Sequence, residues 1–268
     1  MALTHFQRSI CRLLAERRRS SGESYVAGGA ALNQLLNAPR LSHDIDLFHD
    51  SEEALAVSWE ADRRLLESNH YTVTVLRQSP AFVEAWIAAS GSQVIMQWVR
   101  DSAYRHFPLL EDELFGLVLH PFDLATNKVL AMAGRLEPRD WIDVIHCHHR
   151  LQSLGLLAWA ACGKDPGFNP QSLLAESSRA HYSQAELDGL AFDGPAPDAI
   201  TLGGQWRTML KTAAAECALL PASELGKCVI NNHLELFQGT VEELRQALEN
   251  GSLRFHEGRL GGAWPSFK

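Results

Sequence analysis

Ala27-Gly28-Gly29-Ala30, followed by Arg40-Leu41-Ser42-His43-Asp44-Ile45-Asp46-Leu47-Phe48, is the part of the chain whose reading decides the fold. A short apolar strand, Tyr25-Val26-Ala27, precedes the glycines. A short helix over 30–36 follows them, and Asn37-Ala38-Pro39 breaks it. Two glycines between strand and helix remove Cβ atoms where a ligand can approach the backbone. The helix start behind them offers unpaired N–H groups and the positive end of a dipole, which suits a phosphate. The second strand is Ile45–Phe48. Asp44 and Asp46 lie two apart, so on a strand they point to one side. Two carboxylates on one face repel unless a cation lies between them, and oxygen-only ligands suit Mg²⁺ or Mn²⁺, which carry substrate phosphates. Taken singly, Gly-Gly also reads as a tight turn and Asp-x-Asp as a solvated strand end. The order of the set, with Leu41, Ile45, Leu47 and Phe48 around the aspartates, describes a metal–triphosphate site.

Working outward, residues 4–19 read as an amphipathic helix with Phe6, Ile10, Leu13 and Leu14 on one face. Ser51 is placed to cap a helix running to about Ser68. Strands are expected at Tyr71–Leu76, Phe82–Ala88 and Gln93–Val99. From Pro121 the apolar period changes from two to 3.6, giving helices at about 122–133, 138–153, 155–162, 170–180, 184–190 and 198–219. Short strands at Lys227–Ile230, Leu234–Phe237 and Leu253–His256 surround a helix at about 240–249. The domain reading is an α/β unit at 1–118, a helical unit at 119–220 and a small α+β segment at 221–268.

These motifs resemble the nucleotidyltransferase superfamily with the DNA polymerase β-like fold, whose first motif is Gly-Gly or Gly-Ser, a spacer, then Asp-x-Asp. More narrowly, 40–48 resembles the Arg-x-Ser-x-Asp-(apolar)-Asp signature of the AbiEii/AbiGii group of abortive-infection and toxin–antitoxin proteins. A second block supports this. Asp123-Leu124-Ala125-Thr126-Asn127-Lys128, then Arg135, then Arg139-Asp140-Trp141-Ile142-Asp143, resembles that group's lysine helix and its Arg-Asp-x-x-Asp helix. The resemblance spans about 22–150. It implies an α+β fold, a mixed sheet with flanking helices, to which the chain adds the helical domain and the small C-terminal α+β appendage read above. It further implies that Asp44 and Asp46 hold a divalent metal, Lys128 contacts nucleotide phosphates and Asp143 completes the pocket. Gly28, Gly29, Arg40 and Ser42 would line the nucleotide. The implied activity moves an NMP from an NTP to an acceptor hydroxyl on RNA (a tRNA end included), protein or a small molecule, with an antitoxin protein as a further partner. One position departs from the superfamily: Gln97 stands where a later strand often carries a third carboxylate. Glutamine accepts no proton at neutral pH and is a poor Mg²⁺ ligand. It motivates an alternative, a catalytically degenerate nucleotide-binding protein.

Composition sets the outer bounds. The 268 residues are 46% hydrophobic and 21% charged, enough for a real core without staples. No apolar run reaches the ~18 residues of a membrane span, the start lacks the apolar core of a signal peptide, and the expected compartment is the cytoplasm. The five cysteines are scattered, which argues against a disulfide framework or a zinc ribbon. His146-Cys147-His148-His149 carries zinc-type ligands, but in a helix they point around it rather than converge. A net charge of −8 disfavours wrapping long duplex nucleic acid. Five arginines in the first 20 residues (Arg8, Arg12, Arg17, Arg18, Arg19) are either a solvated helix face or a patch for phosphates.

Overall fold

The computed structural model describes residues 3–265. In chain order the elements are α1 (His5–Ser21), β1 (Tyr25–Ala27), α2 (Gly28–Leu35), β2 (Asp44–His49), α3 (Glu52–Ser68), β3 (Thr72–Ser79), β4 (Phe82–Ala89) and β5 (Ser92–Arg100). Then come β6 (Tyr104–Arg105), β7 (Leu110–Asp112), β8 (Gly116–Val118), α4 (Pro121–Arg135), α5 (Pro138–Arg150), α6 (Leu154–Ala161), α7 (Pro170–Ser177) and α8 (Gln184–Asp188). The last are α9 (Ala199–Leu219), β9 (Cys228–Asn231), α10 (Val241–Glu249), β10 (Leu253–His256) and β11 (Arg259–Leu260).

The chain divides into two compact units, Met1–Ala103 with Pro108–His120, and Tyr104–Phe107 with Pro121–Lys268. The first unit is built on a seven-stranded sheet in the order β3-β4-β5-β2-β1-β8-β7. It is mixed: β2–β5 and β1–β8 run parallel and the other pairs antiparallel. The period-two pattern sends Ile45 and Leu47 of β2, Val83, Ala85 and Ile87 of β4, and Val94, Met96 and Trp98 of β5 to one buried side. Helices α1 and α3 pack there. Trp59 of α3 meets Trp98 edge-on at 4.7 Å, and Trp98 Nε1 donates to Asp62 Oδ2 at 3.0 Å.

Three of the five N-terminal arginines are built into the packing of α1, while Arg12 is exposed. Arg17 pairs with Asp62 at 3.3 Å, Arg18 is buried and donates to the Phe115 carbonyl, and Arg19 donates to the Asp112 carbonyl at 2.9 Å. They fasten α1 to α3 and to the β7–β8 hairpin. Burial pushes the Asp62 carboxyl above its usual range, although Arg18, Trp98 and Arg17 all favour its charged form.

In the second unit, α6 reads Leu-Gly-Leu-Leu-Ala-Trp-Ala-Ala and buries all eight residues. A helix apolar all round is a core helix, and α4, α5, α7 and α9 pack about it. Two small sheets complete this unit, β9–β10 and β6–β11. The segment 104–107 is pinned by Asp123. Its carboxylate accepts from the His106 and Phe107 N–H groups at 2.8 and 3.0 Å and pairs with Lys164 at 2.8 Å. His106 Nε2 lies 3.1 Å from the Gly226 carbonyl, and His256 Nε2 lies 2.7 Å from the His106 carbonyl. The carboxyl of Asp123 is buried, which alone would raise its pKa. Lys164 and His106 outweigh that and hold it well below the usual range.

Three sequence expectations change. Helix α2 begins at Gly28 itself rather than after the double glycine. Leu234–Phe237 forms no strand. Leu234 is at φ +66°, and contact with β9 is reduced to one bridge, Ile230 to Leu236. The short strands β6, β7, β8 and β11 were not foreseen.

Candidate functional site

In the first unit β1 runs directly into α2, with Gly28 at φ +67°, a left-handed conformation that favours glycine. The same residue makes a close approach. A Cβ at Gly28 would fall 1.8 Å from Asp46 Oδ2 and 2.7 Å from its Cγ. The Asp46 carboxylate therefore occupies the space that any other residue at 28 would fill. A Cβ on Gly29 would fall 2.7 Å from Arg40 Nη2 and 3.4 Å from Ser42 Oγ. The double glycine is thus the floor on which Asp46, Arg40 and Ser42 sit.

The loop before β2 is held from α1. Gln7, buried, donates to the carbonyls of Ser42 at 2.9 Å and His43 at 3.3 Å. Gln7 also serves the capping box of α1 with Thr4. Ser42 Oγ donates to the Asp44 carbonyl at 3.3 Å, and Arg40 is buried. His43 is exposed.

Asp44 and Asp46 lie on the face of β2 opposite Ile45 and Leu47, and both are half-buried. Register extends this face across the sheet, because directly paired residues share a side. Asp46 pairs with Ala27 on β1 and Gln97 on β5, Gln97 with Glu84 on β4, and Glu84 with Arg77 on β3. This polar row lies between two largely apolar ones, Phe48–Val99–Phe82 and Asp44–Ile95–Trp86. Gln97 Nε2 donates to Glu84 Oε1 at 2.9 Å, and Arg77 Nε lies 3.7 Å from Glu84 Oε2. The sequence reading missed Glu84; no motif marks it, and only strand register brings it beside Gln97.

Two carboxylates on one strand face, with a glycine floor and a helix start beside them, fit a small oxygen-seeking cation. Mg²⁺ is commonly held by one or two carboxylates, with substrate phosphates and water completing its shell. Among the described residues no group of three or more His, Cys, Asp or Glu side chains is arranged to hold a metal. In α5, Cys147 is buried, and His148 Nδ1 accepts from the Leu154 N–H at 3.0 Å.

In the second unit, Lys128 on α4 and Asp143 on α5 are brought together. Lys128 Nζ lies 3.1 Å from Asp143 Oδ2 and 2.8 Å from Asp140 Oδ1. Arg135 grips Asp140 with two bonds, 2.6 and 2.9 Å. All of these but Arg135 are buried. Burial would raise the Asp140 carboxyl, but Arg135 and Lys128 outweigh it and lower its pKa. The sequence placed Asp140 on the Asp143 face but did not assign it as the partner of Lys128 and Arg135.

No protein-family model matches the chain, and no curated protein matches its sequence. Solved structures do resemble it. MenT4, a nucleotidyltransferase toxin from Mycobacterium tuberculosis, superposes with a TM-score of 0.51 at 16% identity, over 81% of this chain and 84% of that one. JHP933 from Helicobacter pylori superposes with a TM-score of 0.52 at 13% identity, over 81% of this chain and 95% of that one. The chain therefore has the α+β nucleotidyltransferase fold.

Proposed function

We propose that this chain is a metal-dependent nucleotidyltransferase that moves an NMP from an NTP to an acceptor hydroxyl. The observation that carries the reading is the Asp46 carboxylate seated on Gly28, with Asp44 two residues along the same strand face. Asp44 and Asp46 would hold Mg²⁺ or Mn²⁺. When bound, the cation supplies positive charge to phosphate oxygens as charge develops on them. Gly28 and Gly29 leave room at the start of α2 for the Asp46 carboxylate and for Arg40 and Ser42. Ser42 and Arg40, packed on Gly29, are the side chains proposed to line the nucleotide. In the second unit, Lys128 is proposed as a phosphate contact whose ammonium is fixed by Asp140 and Asp143. Asp143 is the candidate to take the acceptor proton.

The acceptor is proposed among RNA, protein and small-molecule hydroxyls. The fold likeness to MenT4 extends the proposal to a toxin with a protein antitoxin. No helix among the described residues is long and apolar enough to cross a membrane, and the proposed compartment is the cytoplasm. A second reading, nucleotide binding without transfer, is favoured by Gln97 in the third-acid position.

The test is incubation with each α-labelled NTP, Mg²⁺ or Mn²⁺, and pools of total RNA, protein and aminoglycoside. Transfer of one label to one acceptor class, absent in Asp44→Asn and Asp46→Asn, is expected. Nucleotide binding with no pyrophosphate release under any condition would establish the second reading instead.

A further inference from the structure

The row Asp46–Gln97–Glu84 holds two acids separated by one amide. Neighbouring strands lie ~4.8 Å apart, so the row spans about 10 Å. An ionised carboxylate only accepts hydrogen bonds. The Gln97 amide meets Glu84 with its Nε2, which leaves Oε1 as its other end. Among the described residues that oxygen takes no hydrogen bond. The Glu84 side chain is only 15% exposed, and Arg77 Nε lies 3.7 Å from its second oxygen. Register sets Gln97 directly opposite Asp46, so a carbonyl oxygen turned to that side would face a carboxylate, a pairing that a cation or its bound water relieves.

We propose that Gln97 presents Oε1 toward Asp46 as a neutral acceptor for the hydration shell of the cation at Asp44 and Asp46, and that Glu84 is the positioning residue that fixes the amide this way round. The inference rests on the nucleotidyl-transfer reading and assigns a use to the position where the third acid is missing. It also explains the amide. An acid at 97 would place three carboxylates in consecutive register positions, and like charges directly opposite one another are destabilising. Gln97 lets Asp46 and Glu84 coexist while still offering an oxygen.

The experiment measures Mn²⁺ affinity by electron paramagnetic resonance on the full chain without nucleotide, beside thermal melting. The variants are Asp46→Asn, Glu84→Gln and the exchange Glu84→Gln/Gln97→Glu. In Glu84→Gln the partner no longer dictates which end of the amide it meets, so Mn²⁺ binding weakens about 10-fold, the lower end of what losing a group behind a metal ligand costs. The exchange keeps an acid–amide pair but moves the charge next to Asp46, so Mn²⁺ binds more tightly than in wild type. A merely structural row changes melting alone. Mn²⁺ affinity that is lost in Asp46→Asn but equals wild type in both other variants overturns the proposal and leaves nucleotidyl transfer standing. A wild-type chain that binds no Mn²⁺ here, nor when a non-hydrolysable NTP is added, removes both. If the exchange variant does not melt cooperatively, Glu84→Gln decides alone.

Discussion

Replacing Gly28 by alanine should disable the site without replacing any charged group. The backbone at φ +67° costs an L-residue roughly 1–2 kcal/mol more than glycine. The new methyl carbon would lie 1.8 Å from Asp46 Oδ2, where real contacts stop at about 3.0 Å, so that oxygen must retreat by about 1.2 Å. A retreat that takes Asp46 out of its rotamer well costs ~0.5–1.5 kcal/mol. Together the variant should lose about 2–3 kcal/mol. At ~2–4 °C per kcal/mol for a chain of this size, melting should fall by about 5–10 °C. Displacing a reacting-site group by an ångström costs ~100-fold in rate, so transfer should fall by about that factor. A double-mutant cycle with Asp46→Ala checks the cause: without the carboxylate, Gly28→Ala should cost only its backbone component. Gly29→Ala is the milder control, because its methyl would meet the movable end of Arg40 at 2.7 Å. Gly28→Ala with wild-type melting and Mn²⁺ binding would refute the reasoning.

Asp44→Asn should abolish Mn²⁺ binding and transfer while melting within a few degrees of wild type; retained binding would move the metal elsewhere. Lys128→Met leaves Asp140 and Asp143 buried without their shared cation, so it should cost ~3–5 kcal/mol in denaturant melts, as unpairing buried charges does. Lys128→Arg should not rescue it fully, since a planar fork cannot replace a compact ammonium. Glu216, buried between α6 and α9, is raised by burial to about 7, against the pull of the Gly155 N–H. The native state keeps this proton where the unfolded chain has lost it, so stability should decline as pH rises from 4.5 to about 7. At ~1.4 kcal/mol per unit the total is about 3 kcal/mol, and Glu216→Gln should flatten that part of the pH–stability curve.

The elements legible in the sequence are those with long, clean periodicity. Ser51 was read as the cap of α3 and accepts from the Ala54 N–H at 3.1 Å. The alternating runs at 82–88 and 93–99 fall within β4 and β5. The strands that escaped are two or three residues long, too short for alternation to register, and β8 is held by parallel pairing to a distant partner, β1. Of the candidate residues, Gly28, Gly29, Arg40, Ser42 and Asp46 are gathered around one glycine floor. Lys128 and Asp143 meet across two helices. Their supports were not legible for a different reason in each case. Gln7 looks like an ordinary capping residue, and Glu84 looks like a polar residue on a strand, until register shows what stands beside it.

The excursion at Tyr104–Phe107 means that neither compact unit is a continuous stretch of chain. Cutting the polypeptide between His120 and Pro121 would leave the helical piece without the two N–H groups that Asp123 accepts from, and His256 without its carbonyl partner. Asp123 would keep Lys164 but would have to find new donors in a buried place. Lengthening the helical piece to recover residues 104–107 brings β7 and β8 with it, and those strands belong to the other unit's sheet. The two units are therefore poor material for modular shuffling: a recombination between His120 and Pro121 separates a buried carboxylate from its donors, and one before Tyr104 separates β7 and β8 from their sheet, so the pair is best inherited, expressed and engineered as one piece.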